Sequence, residues 1–267
     1  MEKINCPICR SNNNKLYLSL KDRLASDKIE TFTLVKCECD FIFLNPRPSE
    51  LEISKYYSYN NYSPHKKNSF LYSLAEKISF FWKYILIKKY SLKARILDYG
   101  SGMGSFSSYM IKKGFSIDNY EPILNSKNEI KSDYNIITMW HSLEHIHDLE
   151  SSFQVISRAL KNDGYLIIAV PNIDAAEITY FNEDWAAFDA PRHLYHFNFN
   201  SINNLLDKYG FKIVKHSIII QDTFYNIYLS LNSRSYIYLL YAFFLSIFKI
   251  LFNSNKASSK LYVCIKK

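Results

Sequence analysis

Three of the chain's six glycines fall within five residues, in the run Ile96-Leu97-Asp98-Tyr99-Gly100-Ser101-Gly102-Met103-Gly104. In a 267-residue chain so poor in glycine, each one marks a place where the backbone needs a positive φ or a close approach. A short apolar run feeds the cluster, and the stretch Phe106 to Lys113 behind it has helical spacing. Strand, glycine turn and helix are therefore expected in that order. In an open parallel sheet such a turn lies beyond the carboxyl end of its strand, where backbone amides can approach a nucleotide-like ligand.

The rest of the chain agrees with such a sheet. Apolar runs at Ile117 to Tyr120, Asn135 to Trp140, Tyr165 to Val170, Phe211 to Ile220 and Lys260 to Lys266 read as strands. Helical patterns at Asp148 to Leu160 and Ser201 to Tyr209 alternate with them, and a longer one runs from about Ser69 to Tyr90 through Leu71, Leu74, Ile78, Phe81, Trp82 and Ile85. Gly114, Gly164 and Gly210 each stand at an expected helix-to-strand boundary. Strands alternating with helices predict an α/β fold with a doubly wound parallel sheet. With 48% hydrophobic residues and thirteen Pro plus Gly, disordered and collagen-like readings are excluded.

The glycine spacing discriminates between ligands. A dinucleotide fingerprint G-x-G-x-x-G would need its third glycine at position 105, which is Ser105. The chain instead has G-x-G-x-G, and Glu121 follows the second strand, where a carboxylate can accept both hydroxyls of a ribose. Together with Asp98, the loop resembles motif I of the class I S-adenosylmethionine-dependent methyltransferases. Met139-Trp140-His141-Ser142-Leu143-Glu144-His145-Ile146 looks like the fourth-strand motif of that family, and Leu160 through Asn172 like a later one. Ala190-Pro191-Arg192-His193-Leu194-Tyr195-His196-Phe197 is similar to a stretch in a branch that also carries an N-terminal Cys-pair unit ending in Pro-Arg-Pro. The resemblance implies a Rossmann-like sheet and S-adenosylmethionine as cofactor. Asp98, Gly100, Ser101, Gly102 and Gly104 would hold its methionine and ribose side, Glu121 the ribose hydroxyls, and Trp140 and His141 would face the sulfonium. The family's usual helix, third strand and acidic loop must here fit into Ile123 to Tyr134, twelve residues. That is too short, so a trimmed adenine side is expected.

The cysteines form a second constellation. Cys6, Cys9, Cys37 and Cys39 are two close pairs, and no apolar signal-type region follows Met1. In a reducing compartment paired cysteines read as metal ligands, and four thiolates make a closed, structural zinc site. Residues 1–48 are expected to be a zinc-ribbon-like unit, 49–92 a Tyr-rich lid and amphipathic helix, and 93–267 the methyltransferase domain. Within the last, 173–199 reads as an acceptor-side insertion and 234–256 as a hydrophobic helical insertion before the last strand.

For an acceptor hydroxyl a tuned histidine is the natural proton acceptor, which singles out His141 and His193 as catalytic candidates. Tyr57, Arg192 and His196 are candidate substrate contacts, Arg192 either for an acceptor carboxylate or phosphate or as half of a structural pair. Tyr236 to Phe252 is seventeen residues interrupted by Lys249. Because a strand follows it, it is expected to pack on the body or to dip into a membrane surface, with Arg234, Lys249, Lys256 and Lys260 near anionic head groups. The net charge of +8 is spread along the chain. A cytoplasmic enzyme is expected, at the inner face of the membrane by analogy with resembling proteins of surface-glycan and lipid-linked pathways. Its partner would be a small-molecule, glycan or lipid-linked acceptor. The alternative is a non-catalytic binding module that recognises nucleic acid or a protein partner.

Overall fold

Strands buried on both faces read as unbroken apolar runs, and that is how the inner strands of the central sheet are made, its two edges being largely exposed. The computed structural model describes residues 1–25, 29–57, 70–122, 130–231 and 234–267. Tyr59 and Tyr62 of the Tyr-rich stretch, and Ile123 to Glu129 of the shortened segment, lie outside the described residues, as do the side chains of Leu71 and Leu74.

Six strands form the sheet: β4 (Arg95–Tyr99), β5 (Ser116–Tyr120), β6 (Tyr134–Trp140), β7 (Leu160–Pro171), β9 (Phe211–Ile218) and β10 (Ser259–Lys266), in the order β5-β4-β6-β7-β10-β9. β4 pairs in parallel with β5 and β6, and β6 with β7, whereas β10 is antiparallel to both neighbours. Consecutive residues point to opposite faces. Ile96, Ile136 and Ile167 pack on one face with Phe106, Met110 and Ile87, while Leu97, Ile137 and Ile168 join the core on the other. The first face is covered by α1 (Phe70–Tyr90) and α2 (Ser105–Lys112). The second carries α3 (Leu149–Ala159) and α5 (Phe199–Lys208) through Phe153, Ile156, Ile202, Leu205 and Leu206. Asp148 and Asn198 cap the starts of these two helices by accepting from Ser151 N and Ser201 N.

Among the described residues β5 is the edge of the sheet, so the expected trimming beyond Glu121 leaves no strand outside it. One boundary differs from expectation. Asn162-Asp163-Gly164 does not turn out of a helix but lies within β7, where Gly164 has no positive φ and a Cβ on it would meet Leu160 Cδ1 at 2.7 Å. Close packing, not turn geometry, explains that glycine.

The N-terminal residues form a second, antiparallel sheet of β1 (Asn14–Lys21), β2 (Thr31–Cys37), β3 (Ile42–Leu44) and β8 (Tyr195–His196), in that order. Its last strand comes from the 173–199 insertion, so the Cys-bearing unit and the insertion share hydrogen bonds as well as a core. The insertion also holds the single turn α4 (Ile178–Phe181). α6 (Ile220–Ser230) and α7 (Tyr236–Phe252) connect the end of β9 to the start of β10, which places them beside the carboxyl end of β7. α7 buries the stripe Leu239, Ala242, Ser246 and Ile250, and no helix among the described residues is long and apolar enough to cross a membrane.

Candidate active site at the carboxyl ends of the parallel strands

β4 delivers the chain into a turn in which Gly100, Gly102 and Gly104 all have positive φ, at 79°, 52° and 72°. Gly100 N and Ser101 N donate to Tyr120 O, and Gly102 N donates to Glu121 Oε2 at 2.8 Å. The first and third glycines are also demanded by close neighbours. A Cβ on Gly100 would lie 2.3 Å from Ser142 Cβ, and one on Gly104 2.8 Å from Asn119 Nδ2, whereas Gly102 faces open space. The turn thus ties together the ends of β4, β5 and β6. Its expected members Asp98, Gly100, Ser101, Gly102, Gly104 and Glu121 are all brought together.

Asp98 lies beneath the turn rather than at its mouth. It is 2% exposed and accepts from Thr138 Oγ1 at 2.8 Å and from Ser107 Oγ at 3.4 Å. Burial pushes its pKa up to about 6, against the hydroxyl of Thr138 and the charge of Lys83, which favour the carboxylate. Lys83 is a site residue that sequence reasoning missed. Its Nζ sits 4.5 Å from the centroid of the Trp140 ring and 5.5 Å from that of Phe106, and burial lowers its pKa to about 8 while Asp98 and Asp222 oppose the shift. The available signal was a lysine at helical spacing with Phe80 and Ile87 on the inward stripe of α1. Trp140 meets Trp82 and Phe106 edge-on at 5.7 Å each, and its indole Nε1 is buried with no hydrogen-bond partner.

His141 has a φ of 52°, held by its own N–H donating to Ala169 O. Its imidazole lies between two acids, with Nε2 3.0 Å from Asp222 Oδ2 and Nδ1 3.5 Å from Glu144 Oε1. Burial alone would lower an imidazole's pKa, but the bond and charge of Asp222, with those of Glu144, outweigh it and push His141 up to about 10. His141, expected as a base, is thus held between two carboxylates and links the end of β6 to α6. Asp222, which makes this so, was invisible in the sequence because it lies 81 residues away.

Beyond His141 the 3-10 turn Leu143–His145 meets the insertion. His145 and His193 pack edge to face with ring centroids 4.7 Å apart. His145 Nδ1 is 3.0 Å from Arg192 O and 3.0 Å from Tyr57 Oη, and His193 Nδ1 is 2.8 Å from Ala187 O. A carbonyl only accepts, so each Nδ1 carries a proton, and Nε2 holds the lone pair in the neutral ring. Burial, reinforced by His193, lowers the pKa of His145 to about 4. Tyr57 and His193 thus both stand against His145.

The other two expected substrate contacts are buried. Arg192 is fully buried, its guanidinium donating to both oxygens of Asp22, both oxygens of Asp189 and the carbonyl of Tyr56. It is the structural half of the two readings, a clamp between the N-terminal unit and the insertion. His196 is 3% exposed, packs on Phe188 at 5.6 Å and faces the core. A further buried acid, Glu177, was also missed. It is fully buried, neither carboxylate oxygen receives a hydrogen bond, and burial pushes its pKa up to about 7.

The four expected cysteine ligands converge. Sγ of Cys6 is 3.5 Å from that of Cys39, Sγ of Cys9 is 3.4 Å from that of Cys37, and all four lie within 4.8 Å of one another. These separations are too long for disulfides. They are near the roughly 3.8 Å edge of a tetrahedron with Zn–S bonds of about 2.3 Å.

Comparison with known proteins agrees with this geometry. A sequence profile described as a methyltransferase domain matches residues 66–216, more than half of the chain. No curated protein matches. Among solved structures, the chain is similar to a SAM-dependent methyltransferase from Archaeoglobus fulgidus, at 16% identity and a TM-score of 0.46, covering 74% of this chain and 100% of the other. It is also similar to the mycolic acid cyclopropane synthase CmaA1 complexed with SAH and CTAB, at 15% identity, a TM-score of 0.46 and coverage of 70% and 84%. The cyclopropane synthase MmaA2 from Mycobacterium tuberculosis follows at 14% identity, a TM-score of 0.42 and coverage of 65% and 78%. With its glycine turn, acidic second strand and matched domain, the chain belongs to the class I S-adenosylmethionine-dependent methyltransferases.

Proposed function

We propose that the chain transfers a methyl group from S-adenosylmethionine to a small-molecule, glycan or lipid-linked acceptor. The observation that carries this is the glycine turn, whose amides and open Gly102 face lie next to the Glu121 carboxylate. Bound there, the cofactor would supply a methyl group on a cationic sulfur. The chain's residues hold and exclude: Gly100 to Gly104 allow close backbone approach, Glu121 accepts ribose hydroxyls, and the Trp140 ring closes the sulfonium side against Phe106 and Trp82. Much of such a reaction's acceleration comes from positioning and from keeping water out. On the acceptor side the Nε2 lone pairs of His145 and His193 can take a hydrogen bond or proton from an acceptor hydroxyl. The four cysteines would hold zinc as a structural ion.

A membrane-bound acceptor is the reading favoured by the outer surface of α6 and α7. Phe224, Tyr228, Ile237, Leu240, Phe244, Phe248, Leu251 and Phe252 are each about half exposed or more. An apolar face of this kind marks an interaction surface; of the basic residues near it, Arg234 is paired with Asp184 and Lys249 donates to Thr179, which leaves Lys256 to suit anionic head groups. Lys260 is buried against Asn255 and takes no part. This supports a cytoplasmic enzyme at the inner membrane face. The test is incubation with methyl-labelled S-adenosylmethionine and fractionated cell extract. Label in the lipid or glycan fraction is the expected result. Cofactor binding with label in no fraction, or retention of nucleic acid in its place, would overturn the reading in favour of a binding module.

A further inference from the structure

The acceptor side holds three potential ligand atoms around one point. A carboxylate oxygen of Glu144 and a ring nitrogen each from His145 and His193 lie within 4.8 Å of one another. Glu144 is fully buried and neither of its oxygens receives a hydrogen bond. Such a carboxylate is costly unless something positive faces it. Its ion pair with His141 at 3.5 Å engages only Oε1.

The two histidines are prepared in the way metal-ligating histidines are. Each directs its Nδ1 proton to a backbone carbonyl, Arg192 O for His145 and Ala187 O for His193, which fixes the tautomer and leaves Nε2 as donor. Arg192, whose carbonyl faces His145, is itself held by the buried clamp to Asp22. We infer that Glu144, His145 and His193 form a second metal site, separate from the cysteines, for a first-row divalent ion such as zinc or cobalt. Two imidazoles and one carboxylate suit such ions rather than magnesium or calcium. At bonds of about 2.1 Å, ligand atoms around one ion stand roughly 3 to 4 Å apart, so small side-chain rotations close the set.

Three protein ligands leave a coordination position for water or an acceptor oxygen. His145 and His193 are half-buried, which keeps that position reachable. If methyl transfer occurs as proposed, the lone pairs assigned above to the acceptor would reach it through the ion. The inference rests on that reading only for this last point; metal binding is tested without it.

Co2+ is titrated into the tag-free full chain, first dialysed to one equivalent of zinc, and followed by visible absorption and elemental analysis. One further equivalent of cobalt per chain is expected, showing d–d absorption without the near-ultraviolet thiolate charge-transfer band of a cysteine site. Glu144→Gln and His193→Ala should each weaken that binding by at least about a hundredfold, with the cysteine-bound zinc retained as the check on folding. No saturable cobalt binding, cobalt showing only the thiolate band, or full affinity in both folded variants would overturn the inference. S-adenosylmethionine binding is measured on the same samples, so loss of the metal site and loss of the cofactor reading are told apart.

Discussion

The proposed cofactor side and the proposed acceptor side of this site are built by opposite means. The cofactor side is local: Asp98, the Gly100–Gly104 turn and Glu121 lie within 24 residues and are tied by backbone bonds such as Gly100 N to Tyr120 O. The proposed acceptor side is assembled from afar, with Tyr57, Glu144, His145, Arg192, His193 and Asp222 arriving from the Tyr-rich segment, the turn after β6, the insertion and α6. Backbone geometry therefore specifies the first, and buried charge networks the second. The two sides should fail differently when mutated.

The largest effect is expected at the clamp on the acceptor side. Arg192→Ala leaves Asp22 and Asp189 buried without their cation and should cost about 3–5 kcal/mol, read as a lower urea midpoint at unchanged slope. A variant of wild-type stability with a raised KM for an acceptor would show that Arg192 binds substrate after all.

Next comes a pH effect from Glu177, whose pKa rises from 4.5 to about 7. The unfolded chain ionises this group first. Its protonated form therefore favours folding fully below pH 4.5, and that stability is lost as pH rises through about 7, by up to roughly 3 kcal/mol. Glu177→Gln should flatten this decline in pH-dependent unfolding curves, and an unchanged slope would place the pH dependence elsewhere.

Smaller effects are expected on the cofactor side, and they separate two glycines of the same turn. Gly100→Ala forces a Cβ to within 2.3 Å of Ser142 Cβ and should weaken S-adenosylmethionine binding at least tenfold, about 1.4 kcal/mol. Adding Ser142→Gly should restore part of it by removing the neighbour. Gly102→Ala meets no atom within 4 Å and should cost only about 1 kcal/mol of backbone strain. Equal losses at the two positions would mean that the turn is not shaped by its contact with Ser142.

The same contrast explains what could be read from the sequence. The order of strands and helices, the turn and the four cysteines were legible because each rests on short-range pattern: alternation, glycine spacing, paired thiols. That β5 is the edge of the sheet among the described residues agrees with the shortness of the segment after Glu121. Gly164 was misjudged because packing against Leu160 leaves no mark in the local sequence. The two acid partners of His141 are not legible together because they come from different distances in the chain, Glu144 three residues on and Asp222 eighty-one. The sequence offered both readings of Arg192, and only the folded positions of Asp22 and Asp189 decide between them. Lys83 was hidden in a helix read for its apolar stripe.

The claim on which the rest depends is that a turn trimmed on its adenine side still binds the cofactor. Isothermal titration of S-adenosylmethionine into the full chain tests it most directly, with Glu121→Gln alongside. One saturable site per chain, weakened in the variant, is the predicted result; no heat at millimolar cofactor would contradict the account and leave a methyltransferase fold without its chemistry.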